Sequence, residues 1–430
     1  MNKNHSTSLT AWLVCVSAAL FFFYEFIQMN MLNSIGAMLM ADFHIDAAQL
    51  GNLSASYLYA DALLLFPAGL IVDRTSVRLV TIIGMIVAIF FTILFALSPN
   101  AIYATLWHFI IGLGNAFCFL CCILLAARWF PPHRMALIVG LIITIAMLGG
   151  AVAQSPLAIL AQHIGWRNTM WVNAGLGILI LLAVISFVKD YPPEHANQHA
   201  NQKSQLKAMG FWQSIQISLK NTQNWYSGIY TCLMNLPIIL LGGLWGNMYL
   251  AQVDQLSSTK ASTVPMMIFF GTMIGSPLAG FISDHLKQRK LPMIVGSILA
   301  LLIILAIIYI KPLNYVELLI LFLGLGIVTS TQVLSYPLIA ESNSPLITGT
   351  ATAFASIIIM GGGAAFQPFY GWLMDLHWNH AYLNGQPIYS NHDFLLAMAI
   401  IPCAFILSFI ISLLIRETSC IPFSKSNTHD

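Results

Sequence analysis

Charge is what this chain has least of: Asp, Glu, Lys and Arg together make up 7% of its 430 residues, while 58% are hydrophobic. An average soluble domain is about one quarter charged, so a water-facing multidomain protein is excluded. Seventeen Lys and Arg against 15 Asp and Glu leave a formal charge of +2. That is too little to draw a polyanion, and it excludes a nucleic-acid partner. Cysteine is scarce as well. Cys15, Cys118, Cys121, Cys122, Cys232 and Cys403 lie in apolar runs and Cys420 in the C-terminal tail, which leaves no disulfide framework. Cys118-Phe-Leu-Cys121 has the spacing of a redox or zinc pair, but inside an apolar run these are small packing residues. No H-E-x-x-H, G-x-S-x-G or P-loop motif occurs and no soluble signalling domain is appended, which argues against an enzyme or a receptor.

Long apolar runs are abundant. The mean hydropathy is +0.81, and stretches of about 20 residues match the hydrocarbon thickness of a bilayer. The pattern predicts an all-α membrane protein with spans at 10–35, 49–71, 79–98, 101–126, 135–161 and 168–188. A second six follow at 223–250, 262–283, 291–310, 315–340, 349–374 and 394–415. The first run exceeds a signal-peptide core and has no small-residue cleavage site, so it is assigned to the mature chain. Residues 1–188 form one six-helix bundle, 189–222 a polar linker and 223–430 the second bundle with its tail. Within the linker, Phe211, Trp212, Ile215 and Leu219 recur at helical spacing, as in a helix lying on the membrane surface; a plain loop is the alternative. With both termini cytoplasmic, 14 of the 17 basic residues fall inside, and only Arg167, Lys260 and Lys311 fall outside, as the positive-inside rule requires. The surroundings are lipid and the expected state is a monomer.

The two halves repeat. Gly69 and Asp73 recur as Gly280 and Asp284, 211 positions on; Gly112-Leu-Gly114 recurs as Gly324-Leu-Gly326 at 212; Gly149-Gly150-Ala151 with Gln154 recurs as Gly362-Gly363-Ala364 with Gln367 at 213. Three matches in order at nearly one offset mark a duplicated six-helix unit in parallel orientation.

Gly69-Leu-Ile-Val-Asp73-Arg74-Thr-Ser-Val-Arg78 resembles the loop motif between helices two and three of the major facilitator superfamily, with Ser76 replacing its second glycine. His108-Phe-Ile-Ile-Gly112-Leu-Gly114 resembles the fourth-helix motif, which normally opens with arginine, and the glycines and Pro156 of span five resemble the fifth-helix motif. Tyr24-Glu25-Phe, Trp129-Phe-Pro-Pro-His-Arg134 and Met147-Leu-Gly-Gly resemble a bacterial branch that includes phagosomal amino-acid transporters and is related to lysosomal dipeptide transporters. The resemblance implies two bundles rocking about a cavity lined by helices 1, 4, 7 and 10, in a bacterial inner membrane. It also implies that Asp73, facing a helix N-terminus with Arg74, Arg78 and Arg128 at hand, latches the bundles; Gly280 and Asp284 form the weaker second copy. The alternative is an exposed turn worth under about 1 kcal/mol.

Two acids lie deep in spans, Glu25 and Asp61, both near the midplane at ~1.5 Å per residue. An ionised carboxylate there costs on the order of 3 kcal/mol, so each faces the bundle interior or water. Tyr24 and Gln28 accompany Glu25, and Ser54, Tyr57 and Asp61 make a polar stripe. Substrate or proton binding is the functional assignment; a hydrogen-bonded packing role is the alternative. His108 takes the position of the motif's arginine, either as a titratable group or as a neutral histidine bonded to a neighbouring helix. The second half offers Asn235 and Trp245 on a span broken by Pro237 and Gly242-Gly243, and Gln332 and Tyr336 on span ten. The loop holding Asp375, His377, His380, His392 and Asp393 has spacing that could bind zinc, but it is read as a solvated loop without metal. Together these residues predict a secondary transporter of a small organic solute, powered by a proton gradient and using no cofactor. An amino acid or short peptide is the substrate the resemblance favours, against the alternatives of a multidrug or siderophore exporter and a membrane-embedded sensor or enzyme.

Overall fold

The computed structural model describes residues 9–131, 134–192, 211–344, 347–383 and 385–421. Among them are twelve helices of at least 20 residues: α1 (Leu9–Phe43), α2 (Ala47–Arg74), α3 (Val77–Ala96), α4 (Ala101–Trp129), α5 (Leu137–Ile164), α6 (Trp166–Phe187), α7 (Thr222–Gln252), α8 (Ser258–Leu286), α9 (Lys290–Tyr309), α10 (Tyr315–Ser342), α11 (Thr348–Asp375) and α12 (Asn391–Leu414). An all-α membrane protein of two six-helix bundles is therefore what the chain forms. α1 continues past residue 35 to Phe43, since Gly36-Ala-Met-Leu-Met-Ala41 is itself apolar and extends the hydrophobic stretch up to Asp42. Of the linker, residues 193–210 lie outside the described residues; its later part forms a helix, Phe211–Lys220. That helix belongs to the second bundle, since Asn224 Nδ2 donates to Ser218 O at 2.9 Å and Asn221 Nδ2 to Ser342 O at 3.0 Å.

Side chains set where several helices begin. Asp46 accepts from Gln49 N at the start of α2 while the Gln49 side chain accepts from Asp46 N; Asn314 with Glu317 and Ser390 with Asp393 repeat this box on α10 and α12. Such caps satisfy backbone N–H groups that a helix start leaves free, at about 1 kcal/mol each. Asp393 is thus engaged in a cap, and Asp375 in another described below. Between α11 and α12 lies a short antiparallel hairpin, β1 (Ala381–Leu383) and β2 (Gln386–Ile388).

The bundles meet along α2 with α11 and α5 with α8. Here the repeated glycines find their reason. A Cβ on Gly149 would sit 2.1 Å from Phe23 O of α1, and one on Gly150 would sit 2.4 Å from the Phe269 ring of α8, across the seam. In the second copy, Gly362 faces Cys232 Sγ of α7 at 2.1 Å and Gly363 faces Leu58 of α2, across the seam, at 3.2 Å. The first glycine of each pair admits a helix of its own bundle; Gly150 admits a helix of the other, and Gly363 admits both Leu58 and, at 2.8 Å, Ile239 of its own α7, so the pairs recur with closely similar contacts.

Among the described residues, hydrogen bonds between the bundles gather at one end of the molecule, opposite the face where α1 starts and α12 ends. Asn33 Nδ2 donates to Leu241 O and Gly242 O at 3.0 and 3.2 Å, Gln154 Nε2 to Gly242 O at 2.7 Å, and Gln162 Nε2 to Ser258 Oγ at 2.7 Å. Asp375, ending α11, accepts from Ala48 N at 2.7 Å and Ala47 N at 3.3 Å, capping α2 of the other bundle. At the face carrying the chain ends, the ion pairs among the described residues stay within one bundle. This conformation is closed at the face away from the termini.

Candidate functional site

Helical spacing brings polar side chains from α1, α2 and α4 into one place inside the first bundle. Glu25 is buried, with its Oε2 lacking any protein partner; Asp61 stands within electrostatic reach of it, and the Cys118 thiol of α4 is its hydrogen-bond neighbour. Asp61 is 6% exposed. Tyr57, one turn before Asp61, accepts a hydrogen bond from Asn115 Nδ2 of α4 at 3.0 Å. Gln28 Nε2 donates to Thr92 Oγ1 of α3 at 2.7 Å. Gln28 Oε1, Asn115 Oδ1 and His108 Nε2 are also buried without a partner. Orphaned buried acceptors are rare in folded proteins, and a group of them around two carboxyls makes a receptive place for protons or another cation. Every Lys and Arg among the described residues lies near a helix end or outside the helices, so no fixed cation neutralises the pair.

The other assigned residues of this half are placed differently. Tyr24 is fully buried with its ring tip against Gly177 of α6. His108 is fully buried; its Nδ1 lies 3.1 Å from Leu53 O of α2, and its ring is held between Tyr57 and Phe95 at 5.3 and 5.8 Å. It ties α4 to α2 and α3.

In the second half, Asn235 is half-buried on α7, and one turn before it Thr231 Oγ1 donates to Gln332 O of α10 at 3.2 Å. Tyr336, one turn on, is 38% exposed with its hydroxyl in reach of Ser356 on α11. Trp245 is elsewhere. It stacks on Tyr370 at 5.5 Å with 13° between planes and donates from Nε1 to Gln367 O at 3.3 Å, inside the closed end. The acidic group thus belongs to the first bundle and the neutral polar group to the second; among the described residues no hydrogen bond joins the two groups.

Of the assigned latch residues, the side chains of Gly69, Asp73 and Arg74 lie outside the described residues. Arg78 N donates to Asp190 Oδ1 at 3.1 Å, its guanidinium to Ile185 O at 2.8 Å, and Arg128 lies 3.5 Å from Asp190 and over the Tyr191 ring at 4.4 Å. In the second bundle Arg289 bridges Asp284 at 2.6 Å and Glu341 at 2.8 Å, while a Cβ on Gly280 would meet open space. Sequence reasoning passed over Asp190, Glu341 and Glu417. One signal was available: Arg78 and Arg289 are separated by 211 positions and Arg128 and Glu341 by 213, so the repeat itself pairs these sites.

The model of the Major Facilitator Superfamily matches residues 18–368. The chain belongs to that superfamily. As a member it is a membrane transporter of small solutes and not an enzyme. It is 26% identical to an uncharacterized transporter, YybO, of Bacillus subtilis over 58% of this chain and 60% of that protein. It is 24% identical to the membrane sensor protein UhpC of Escherichia coli over 86% of each. Among solved structures it resembles a bacterial homologue of the human lysosomal transporter Spinster, in an inward-facing and unoccupied conformation. The TM-score is 0.76 at 16% identity, covering 94% of this chain and 98% of that one; at that identity the likeness concerns the fold.

Proposed function

We propose that this transporter moves a small amine-bearing solute, an amino acid or short peptide, by alternating access, with Glu25 and Asp61 carrying the coupled proton. The observation that carries the proposal is the carboxyl pair inside the first bundle, with orphaned acceptors around it and no Lys or Arg near. Unpaired charge is costly at that depth, so the pair exchanges a proton or an ammonium group for its missing counter-ion as the cavity changes sides. Asn235, Gln332 and Tyr336 supply neutral hydrogen-bonding groups for the rest of the solute. A dicarboxylate or a sugar phosphate would find no fixed cation there. The face carrying the chain ends is assigned to the cytoplasm of a bacterial inner membrane from the distribution of basic residues, and the chain acts as a monomer. Gly149 and Gly150 are accounted for by packing against Phe23 and Phe269, so they lend the exporter alternative no support.

Two measurements test this. A thermal-shift panel of amino acids, dipeptides, nucleosides and sugars identifies ligands that raise stability by mass action. Uptake of the best ligand into liposomes with an imposed proton gradient then reads coupling. Glu25→Gln should abolish accumulation while leaving exchange measurable; accumulation that survives intact moves coupling away from Glu25, and no flux under any gradient with folded protein defeats transport itself.

A further inference from the structure

The eight residues Ile238–Trp245 of α7 form a π turn, in which each N–H reaches back five residues and not four. The wider turn tips backbone carbonyls out of the helix, where side-chain amides take them up. Gln154 Nε2 of α5 and Asn33 Nδ2 of α1, both from the first bundle, hold Gly242 O at 2.7 and 3.2 Å, and Asn33 Nδ2 also holds Leu241 O at 3.0 Å. Asn33 Nδ2 is itself 2.7 Å from Gln154 Oε1, and Asn33 Oδ1 accepts from Asn247 N at 3.0 Å, so the two amides act as one unit. From the second bundle, Gln367 Nε2 of α11 holds Ile239 O at 3.1 Å. Gln154 and Gln367 are the two copies of one repeated position. Identical residues therefore grip the same turn from opposite bundles, and only one of them must let go when the bundles separate at this face.

We propose that Asn33 and Gln154 are the catch of the closed face, seizing the π turn of α7 across the seam, while Gln367 is its permanent anchor within the second bundle. All three amides are buried, so Asn33 and Gln154 give up these carbonyls to water only when this face opens, and the contact is either made or broken. Gly242 and Gly243 leave the turn bare of side chains where the amides approach; a Cβ on Gly243 would lie 3.4 Å from Gln367 Nε2. The inference is independent of which solute is carried.

Disulfide trapping across the same face tests it. Gln162→Cys with Ser258→Cys, whose native side chains are hydrogen-bonded across the seam, is built into full-length protein carrying Cys403→Ser and Cys420→Ser. The half-time of copper-phenanthroline cross-linking then reports closure. Gln154→Leu and the near-isosteric non-donor Gln154→Met should each lengthen that half-time at least threefold, while Gln367→Leu should lower thermal stability and leave the half-time within twofold of the background. An unchanged half-time in whichever Gln154 variant elutes as folded protein overturns the proposal. Equal slowing by Gln367→Leu also overturns it, because the three amides would then be general packing and not a catch with an anchor.

Discussion

Asp190 and Glu417 do the same task in the two bundles. Each follows the last helix of its bundle by three positions, after Phe187 and Leu414, and each caps the third helix of that bundle. Asp190 accepts from Arg78 N at 3.1 Å; Glu417 accepts from Arg289 N at 2.9 Å and Lys290 N at 2.8 Å. The charges around them are exchanged. Arg128 ends α4 and meets Asp190, whereas the repeat places Glu341 at the matching site of α10, where it meets Arg289. One arrangement of caps thus survives with its ion pair reversed.

Glu417 predicts a pH-dependent stability. Burial alone would raise its carboxyl, but backbone N–H donors from Arg289, Lys290, Ser419 and Thr418 outweigh that and hold it below the ordinary carboxylate value. A depressed folded-state value means the stabilisation is present above the unfolded value and fades as pH falls through the folded one. Glu417→Ala should cost about 1 kcal/mol at pH 7, the worth of an N-cap. The melting difference from the parent should shrink as pH falls below the ordinary carboxylate value of about 4; a difference that does not change with pH would assign the loss to packing.

Two glycines of α5 should respond oppositely to alanine. Gly149→Ala drives a methyl to 2.1 Å from the backbone oxygen of Phe23, whereas a Cβ on Gly140 meets nothing within 4 Å. Overpacking costs about 1–3 kcal/mol, and replacing an unstrained helical glycine gains up to about 1 kcal/mol. Melting in detergent should fall for Gly149→Ala and hold or rise for Gly140→Ala.

The cap that crosses the seam is separable from the amide catch. Asp375→Ala removes the acceptor for Ala47 N and Ala48 N, at about 1 kcal/mol. Hydrogen exchange at those two amides should speed up about fivefold, since protection follows local opening energy. Unaltered exchange would mean that Tyr389, whose hydroxyl accepts from Ala47 N at 3.0 Å, holds the helix start unaided.

If Glu25 and Asp61 form one proton site, their substitutions do not add. Asp61→Asn alone should weaken proton-driven accumulation, and Glu25→Gln with Asp61→Asn together should be no worse than the poorer single variant, because two carboxyls that share one proton act as a unit. Multiplied losses would show two independent sites. Uptake initial rates in liposomes at fixed gradient make the comparison.

Much of this was legible in the residues. Spans, repeat and the isolation of Glu25 and Asp61 follow from where apolar runs and charges fall, and these are the properties a bilayer selects. A bond from His108 to a neighbouring helix was one of the two readings open in the sequence; that its partner is Leu53 was not, since that depends on which helix lies opposite. Asn33 went unnoticed because one amide barely alters the hydropathy of α1, and Pro237 and Gly242-Gly243 mark a broken span without showing which side chains take up its carbonyls. Asp190 and Glu417 looked like any loop acids; their meaning lies in helix starts more than a hundred positions earlier in the chain.

The reciprocal glycine contacts carry one more consequence. Gly150 receives Phe269 and Gly363 receives Leu58, and Leu58 and Phe269 are themselves 211 positions apart. Such a seam is isologous, the kind that two identical chains form about a shared axis. Each half therefore keeps a surface shaped for a copy of itself, and two separately expressed halves would need no covalent tether to find each other in a bilayer.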